Sequence, residues 1–530
     1  MTHSAGARRM GMLVLCALAA AACGSTVAVG TTTAGASSGT AAVADGLGGV
    51  TSAGQATRSG AAPLSVATDA AAGPTAPAGG GAAGTATTTT VDSPGTSSGV
   101  SPVLANGPGV TASTISVGVF YAKGAAEYQA ALGGSTAGQV TDVEAIVNAV
   151  VRDVNAHGGV AGRKLAVVYH ATEAASSTPY ATQNQAACSD FTEDHKVLVA
   201  LKGTRSVMPD DAFVACMQKA GAVVAGGGAY LADRDYQRFH SYYDLADIAT
   251  NKVAINLVDA LVRSHYFTGW DTTNGGPGGA PVKVGIITPD STDWSWTVSN
   301  VLVPELARRG YRVDPGDISV WHYPDATSDN GQAVSQIQSA VLKFRSDGVT
   351  HVLPVEQNSA SFFATAAEGQ HYRPRYGVNS RTAFEVEGGS LIPRAQMTGA
   401  VGFGWVPDED LPSSQTGKDT GPYAGPGRVH CVKVFTEAGF SQTDARAALG
   451  VCDAFYSMQK ALDAVPSGTP LTATSFMSAL EGFGPTFLNA GIPGSRFGPG
   501  RHYAGIRAWL WSFDTGCQCM HYTGSPYDLR

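Results

Sequence analysis

Cysteine offers this 530-residue chain its widest choice of chemistry, and there are eight of them. Six lie beyond residue 180: Cys188, Cys216, Cys431, Cys452, Cys517 and Cys519. Thiols in this arrangement either bind a metal or pair with one another. Zinc pairs usually leave two to four residues between ligands, whereas only Gln518 separates Cys517 from Cys519. Pairing of sequence neighbours as Cys188–Cys216, Cys431–Cys452 and Cys517–Cys519 is one of about fifteen connectivities open to six cysteines. Other reactive groupings are weaker. The twelve histidines include no HExxH pair and no two residues four apart, as a helical metal site would want. Asp325, Asp329 and Asn330 approach the spacing of a calcium loop. The glycine needed at its sixth position is Asn330, and the twelfth position is Gln336. Gly35-Ala36-Ser37-Ser38-Gly39 matches a hydrolase elbow, and the run Gly79 to Gly84 matches a dinucleotide fingerprint. Neither follows a strand or opens a helix, which both motifs require, so both are accidents of composition. No catalytic centre and no cofactor are implied.

The remaining two cysteines belong to the N-terminus. Arg8 and Arg9 precede an apolar run from Met10 to Ala22, which leads through small residues into Cys23. A basic start, a short apolar stretch and a small-residue end make a secretory signal. The run is too short for a spanning helix, which needs about 20 apolar residues. It resembles a bacterial lipoprotein signal in which Cys23 becomes the lipidated first residue, although Ala20 stands where leucine is usual. Secretion with cleavage nearby is the alternative. Either way the chain is expected outside the cytoplasm, where disulfides persist.

From Gly24 to Ala112 the sequence is almost wholly Ala, Gly, Thr, Ser, Val and Pro, and it has no aromatic residue. Such a stretch buries too little apolar surface to offset its ordering entropy, and it reads as a tether with a reach of very roughly 50 Å. Formal net charge is −8 and charged residues are 14% of the chain, which gives no footprint for nucleic acid. No polybasic patch offers a second membrane attachment, so membrane contact is expected through the lipid anchor only.

The elements that must position any site begin at Thr114. Thr114 to Tyr121 reads as a buried strand. Thr141 to Ala156 reads as a helix, with Val143, Ile146, Val147, Val150, Val151 and Val154 on one face. Gly158-Gly159 stop it, and Lys164 to His170 is the next strand. Helices near 180–192 and 209–220 alternate with strands at 197–201 and 222–225. After a helix at 250–264 the rhythm restarts, with strands at 282–288, 319–323, 351–355 and 376–379 and helices between them. A helix around 447–464 and a β-rich stretch at 507–522 follow. Alternation of this kind builds parallel sheets from βαβ units. Two rounds predict an α/β fold of two doubly wound parallel-sheet lobes.

With its residues, this layout resembles the branched-chain amino-acid-binding family of the type I periplasmic binding fold. The resemblance is strongest over Ile115-Ser-Val-Gly-Val119 and over Val154-Asn155-Ala-His-Gly158-Gly159-Val160-Ala-Gly162-Arg163-Lys164-Leu165. It covers about residues 114 to 525. It implies a three-crossover hinge, with one lobe from 113–246 and about 381–470 and the other from 247–380 and about 471–530. It also implies a small-molecule ligand between the lobes and a partner permease of an ABC transporter. A ligand-sensing receptor with the same cleft is the first alternative, and a secreted hydrolase a more distant one.

Open α/β sheets bind ligands beyond the carboxyl ends of their strands. That rule selects Tyr121, Thr204, Arg205, Ser206, Gly228, Ala229 and Tyr230 on the first lobe. On the second it selects Asp290 to Trp294, Glu356, Gln357, Asn358, Ser380 and Arg381. Each has a structural competitor: Thr204 and Ser206 as helix caps, Arg205 as a surface cation, Tyr230 as packing, Glu356 in a bridge between lobes. The family often has an aromatic cover over the ligand near Trp294. Its amino-acid binders carry an acidic residue where this chain has Asn379, Ser380 and Arg381, a departure that widens the expected solute beyond an amino acid to an amide or a related compound, such as a urea-like, acidic or aromatic molecule.

Overall fold

The computed structural model describes residues 105–136, 139–203, 208–226 and 228–530. The signal sequence, Cys23 and the tether up to 104 lie outside them. No helix among the described residues is long and apolar enough to cross a membrane.

The first sheet contains β1 (Thr114–Lys123), β2 (Lys164–Glu173), β3 (Val199–Lys202), β4 (Val223–Gly226) and β5 (Tyr242–Asp244), in the order β2-β1-β3-β4-β5. All its pairings are parallel. A small antiparallel hairpin, β6 (Trp270–Asp271) with β7 (Gly276–Pro277), precedes the second sheet. That sheet comprises β8 (Val284–Pro289), β9 (Ile318–Trp321), β10 (His351–Pro354), β11 (Arg375–Asn379), β12 (Val401–Gly404), β13 (Arg507–Asp514) and β14 (Cys519–Asp528). Its order is β14-β13-β12-β11-β10-β8-β9. Strands β8 to β12 pair in parallel, and β13 and β14 add an antiparallel edge. The two-lobe α/β expectation therefore stands, with an antiparallel edge on the second sheet.

The motif at the helix Val143–Ala156 has a local cause. Asp142 caps Val143–Ala156 by accepting from Ala145 N at 2.9 Å, and Ile146, Val147, Val150, Val151 and Val154 are its buried face. The chain leaves through Gly158 and Gly159, both at positive φ. A Cβ on Gly159 would stand 2.0 Å from the Arg163 carbonyl oxygen, so no other residue fits there. Asn155 completes the turn: its side chain donates to Leu165 O at 3.1 Å and accepts from Leu165 N at 2.8 Å, tying the helix end to the start of β2.

Three crossings join the lobes. Leu245 to Ala249 leads from β5 to the helix Thr250–Arg263, which packs on β11 and β12. After β12 the chain returns to the first lobe, where helices Arg428–Glu437, Leu449–Asp463 and Ala473–Glu481 share its core with Val117, Val147 and Val199. Ala504 to Ile506 then leads into β13. The crossings lie side by side. Ala504 N donates to Asp244 O (3.0 Å), Gly505 N to Asp247 O (3.2 Å) and Trp405 Nε1 to Ala246 O (3.1 Å).

Three expected boundaries move. Residues 381–404 stay with the second lobe, because β12 is the next strand of its sheet. Residues 471–504 stay with the first, because Leu471, Phe476, Leu480, Phe487 and Phe497 complete its core. Residues 106 and 107, placed in the expected tether, bond to the first lobe: Gly107 N donates to Leu471 O at 2.7 Å, and Leu471 N to Asn106 Oδ1 at 3.0 Å.

All three expected disulfides are present: Cys188–Cys216, Cys431–Cys452 and Cys517–Cys519. The first joins two helices flanking β3, and the second joins two helices packed on the first sheet.

Candidate functional site: a cavity between the lobes

A cavity of about 790 Å³ lies where the carboxyl ends of the two parallel sheets face one another. The first lobe supplies Phe120, Tyr128, Tyr180, Asn184, Lys202 and Asp211, and the second supplies Asp290, Ser291, His322, Tyr323, Asn330 and Asn358. The lobes touch across it. Tyr180 and Thr327 share a hydroxyl–hydroxyl hydrogen bond of 2.9 Å, and Tyr180 N donates to Asp325 O at 2.8 Å. Asn330 Nδ2 donates to the Tyr128 hydroxyl at 2.7 Å. Beside the cavity, Glu387 accepts from Gln129 Nε2 (2.9 Å) and from Ser135 N (3.0 Å).

The cavity wall is polar and largely pre-paired. Lys202 Nζ lies 3.1 Å from Asp211 Oδ2, with both side chains almost fully buried. Asp211 also caps the helix Ala212–Lys219, accepting from Phe213 N and Val214 N at 3.0 and 3.1 Å. On the facing lobe Asp290 holds His322 Nδ1 at 2.7 Å and accepts from Tyr323 N at 2.9 Å. The bond to Asp290 lifts the His322 pKa above the ordinary imidazole range. Tyr323 stacks on the buried Trp321 at 5.6 Å, and Trp321 Nε1 donates to Ser359 Oγ at 2.9 Å, which fixes that wall. Ser291 lines the cavity, and its buried Oγ has no hydrogen-bond partner among the described residues. These groups suit reversible recognition of a polar molecule by hydrogen bonds. Among the described residues no group of three or more His, Cys, Asp or Glu could hold a metal ion.

Of the residues selected from sequence, Asn358 lines the cavity, as do Asp290, Ser291 and Thr292 from the loop singled out after β8. Thr204, Arg205 and Ser206 lie outside the described residues. The rest are elsewhere. Tyr121 faces away because side chains alternate along a strand: Phe120 and Ala122 line the cavity, while the Tyr121 hydroxyl donates to Glu144 Oε1 at 2.6 Å on the opposite side of the sheet.

Trp294 is 2% exposed and packs edge-on against Tyr230, with ring centroids 5.7 Å apart. The Arg381 guanidinium lies over both rings, at 5.4 Å from Tyr230 and 5.9 Å from Trp294. It reaches the carbonyls of Ala229 and Ile248 and pairs with Asp247 at 2.9 Å. Glu356 is fully buried, which pushes its carboxyl pKa up. It caps the helix Gln357–Gly369 through Asn358 N (2.9 Å) and Ser359 N (2.6 Å), and accepts from the Tyr230 hydroxyl at 3.4 Å. Gly228 O accepts from the Tyr242 hydroxyl at 3.4 Å. Ser380 donates to Asp410 Oδ2 (2.7 Å) and accepts from Trp405 N (2.8 Å). Trp294, Glu356 and the Arg381 side chain, with the partly buried Tyr230 against them, thus form a plug between the lobes near the hinge, apart from the residues that line the cavity.

Sequence reasoning missed Tyr128, Tyr180, Lys202, His322 and Tyr323. His322 and Tyr323 directly follow β9, so the strand-end rule points to them. Tyr128 and Tyr180 sit on helices whose direction no local pattern reveals.

No family profile matches the sequence, and no curated protein matches it. Solved structures do. An ABC-transporter solute-binding protein from R. palustris, in complex with 4-hydroxybenzoate, is 11% identical with a TM-score of 0.52, covering 79% of this chain and 98% of that one. A possible leucine/isoleucine/valine-binding protein from Rhodopirellula baltica is 15% identical with a TM-score of 0.50, covering 78% and 97%. An extracellular ligand-binding receptor from Rhodopseudomonas palustris is 15% identical with a TM-score of 0.50, covering 77% and 99%. At these identities the likeness is one of architecture. It extends over nearly the whole of each of those chains, and it agrees with the sheet orders and crossings described above: this chain has the two-lobed type I periplasmic-binding-protein fold.

Proposed function

We propose that the chain captures a small polar solute between its two lobes and hands it to an ABC-type permease without altering it. The observation that carries this reading is the 790 Å³ cavity lined from both lobes, with direct hydrogen bonds across its mouth. A solute touching both walls favours the closed arrangement by the difference in contacts. Ser291 Oγ, the Tyr323 ring, Asn184 and Asn358 offer hydrogen bonding beside an aromatic surface, which suits amino acids, amides and hydroxylated aromatic acids. Binding of 4-hydroxybenzoate by one protein of the same fold supports that range. The signal-like N-terminus ending at Cys23 and the three disulfides support an exported protein held at the outer face of the cytoplasmic membrane by a lipid.

The test is a thermal-shift screen over those three compound classes, followed by titration of any hit. Tyr128→Phe and Tyr180→Phe each remove a hydrogen bond across the cleft. Each should weaken binding by about 0.5–1.5 kcal/mol. Tyr323→Ala should weaken it further. A tight ligand indifferent to all three substitutions would move the binding site out of this cavity.

A further inference from the structure

Two of the three disulfides are built into the first lobe. Cys188 is fully buried with Cys216 half-buried, and Cys431 and Cys452 are 3% and 0% exposed. They link residues 28 and 21 apart in sequence. Closing loops of that size restricts the unfolded chain considerably, so reduction of either opposes folding. Cys517–Cys519 differs on each count. It spans a sequence separation of 2, so closing it removes little freedom from the unfolded chain. It sits where β13 turns into β14, with Cys517 exposed and Cys519 buried. The one residue inside its ring, Gln518, is held at φ 54°, a left-handed backbone unusual for a side chain that is not glycine.

We infer that Cys517–Cys519 is a redox-exchange site, reactive toward low-molecular-weight thiols while the other two disulfides are inert. Access fixes the direction of attack. The external thiolate approaches the exposed Cys517 Sγ, a bond forms between those two sulfurs, and the Cys517–Cys519 bond breaks. The electron pair leaves with Cys519. Gln415 Nε2 donates toward Cys519 Sγ at 4.0 Å, a dipole placed to stabilise the departing thiolate, which then takes a proton from solvent. A second thiol attacks the external sulfur of the mixed disulfide and releases Cys517. In sum, two small thiols and the protein disulfide become one small disulfide and a protein dithiol, and an oxidised small disulfide drives the reverse. The leaving sulfur is thus the buried one, a polarity that follows from exposure and not from sequence spacing. The site lies on the outer hairpin of the second sheet, away from the residues lining the inter-lobe cavity, so the exchange is separate from solute capture.

The experiment treats the folded full-length protein with graded reduced and oxidised glutathione, quenches with acid, alkylates, and maps the peptides. Alkylated Cys517 and Cys519 should appear while Cys188–Cys216 and Cys431–Cys452 remain bridged, with glutathione in the mixed disulfide on Cys517. Simultaneous reduction of the three, reduction of either other bridge first, or glutathione on Cys519 overturns the inference. A second arm compares Cys519→Ser, which leaves the exposed thiol, with Cys517→Ser, which leaves the buried one. Glutathione disulfide should label the first at least about tenfold faster, in line with the dependence of exchange on access. Equal rates would overturn the proposed direction of attack.

Discussion

Arg381 is the side chain whose loss should disturb the molecule most informatively. Its guanidinium is 5% exposed and pairs with Asp247, 13% exposed, at 2.9 Å, while it also donates to the carbonyls of Ala229 and Ile248. One cation from the second sheet therefore secures the chain at the first crossing and the loop after β4. Arg381→Gln removes the positive charge but leaves a polar side chain of shorter reach. Breaking a buried pair by deleting one partner costs about 3–5 kcal/mol, because the other charge stays buried and uncompensated. The pH dependence distinguishes this cause from lost packing. Burial already holds the Asp247 pKa above the usual carboxylate range, and Arg381 is the strongest influence opposing that rise. Asp244, next to it, is likewise raised by burial and by the Asp247 charge. Without Arg381 the Asp247 pKa moves higher still, so the folded variant takes up a proton that the unfolded chain does not. Its deficit against wild type is then largest in alkali and shrinks as pH falls, by about 1.36 kcal/mol for each further unit of displacement. Denaturant unfolding at pH 5.5 and 8.5 measures this directly. Adding Asp247→Asn to the variant should return part of the loss, as expected for residues in contact. A deficit below about 1 kcal/mol, or a larger one identical at both pH values and not relieved by Asp247→Asn, would refute the electrostatic account.

Two further outcomes follow from burial. Trp294→Ala should destabilise the protein by about 3–5 kcal/mol in a thermal melt, because the ring is 2% exposed against Tyr230; a variant as stable as the parent would return the ring to the cleft wall. Asp453 is 3% exposed, accepts from Ala490 N (2.7 Å) and Gly491 N (3.1 Å), and burial pushes its pKa from 3.8 up to about 7. A carboxyl raised in the folded state stabilises most below its unfolded pKa, and that contribution disappears as pH rises through the folded value. Asp453→Asn should therefore flatten the stability profile between pH 4 and pH 7, a change of up to roughly 4 kcal/mol at 1.36 kcal/mol per unit. Parallel wild-type and variant profiles across that window would count against it.

Local causes made much of this chain legible. The helix Val143–Ala156 could be read because its apolar face, its Asp142 cap and its Gly158-Gly159 stop all act within a few residues. The alternation of strands and helices set the α/β class for the same reason, and the cysteine spacing matched the disulfides because each bridge joins sequence neighbours. Strand β12, Val401–Gly404, offered no such signal. Two of its four residues are glycines, and a Cβ on Gly402 would fall 1.7 Å from the Val378 carbonyl oxygen, a demand made by a neighbouring strand and invisible along the chain.

The site divides along the same line. Sequence alone pointed to the carboxyl ends of the strands, because parallel sheets converge loops and helix starts there, and the loop after β8 with Asn358 does line the cavity. Tertiary structure decided which of those residues face it. Strand parity turned Tyr121 away from the cavity and Phe120 toward it, and packing between the lobes buried Trp294 and Glu356, with Tyr230 partly buried, around Arg381. Packing against the opposite lobe brought Tyr128 and Tyr180 to Asn330 and Thr327, some 150 to 200 residues further along the chain. A sequence pattern records the direction of a side chain only relative to its own backbone. Which solvent, core or facing lobe that direction meets is set by the rigid-body placement of elements, and that information is spread over residues too distant for any local period to carry.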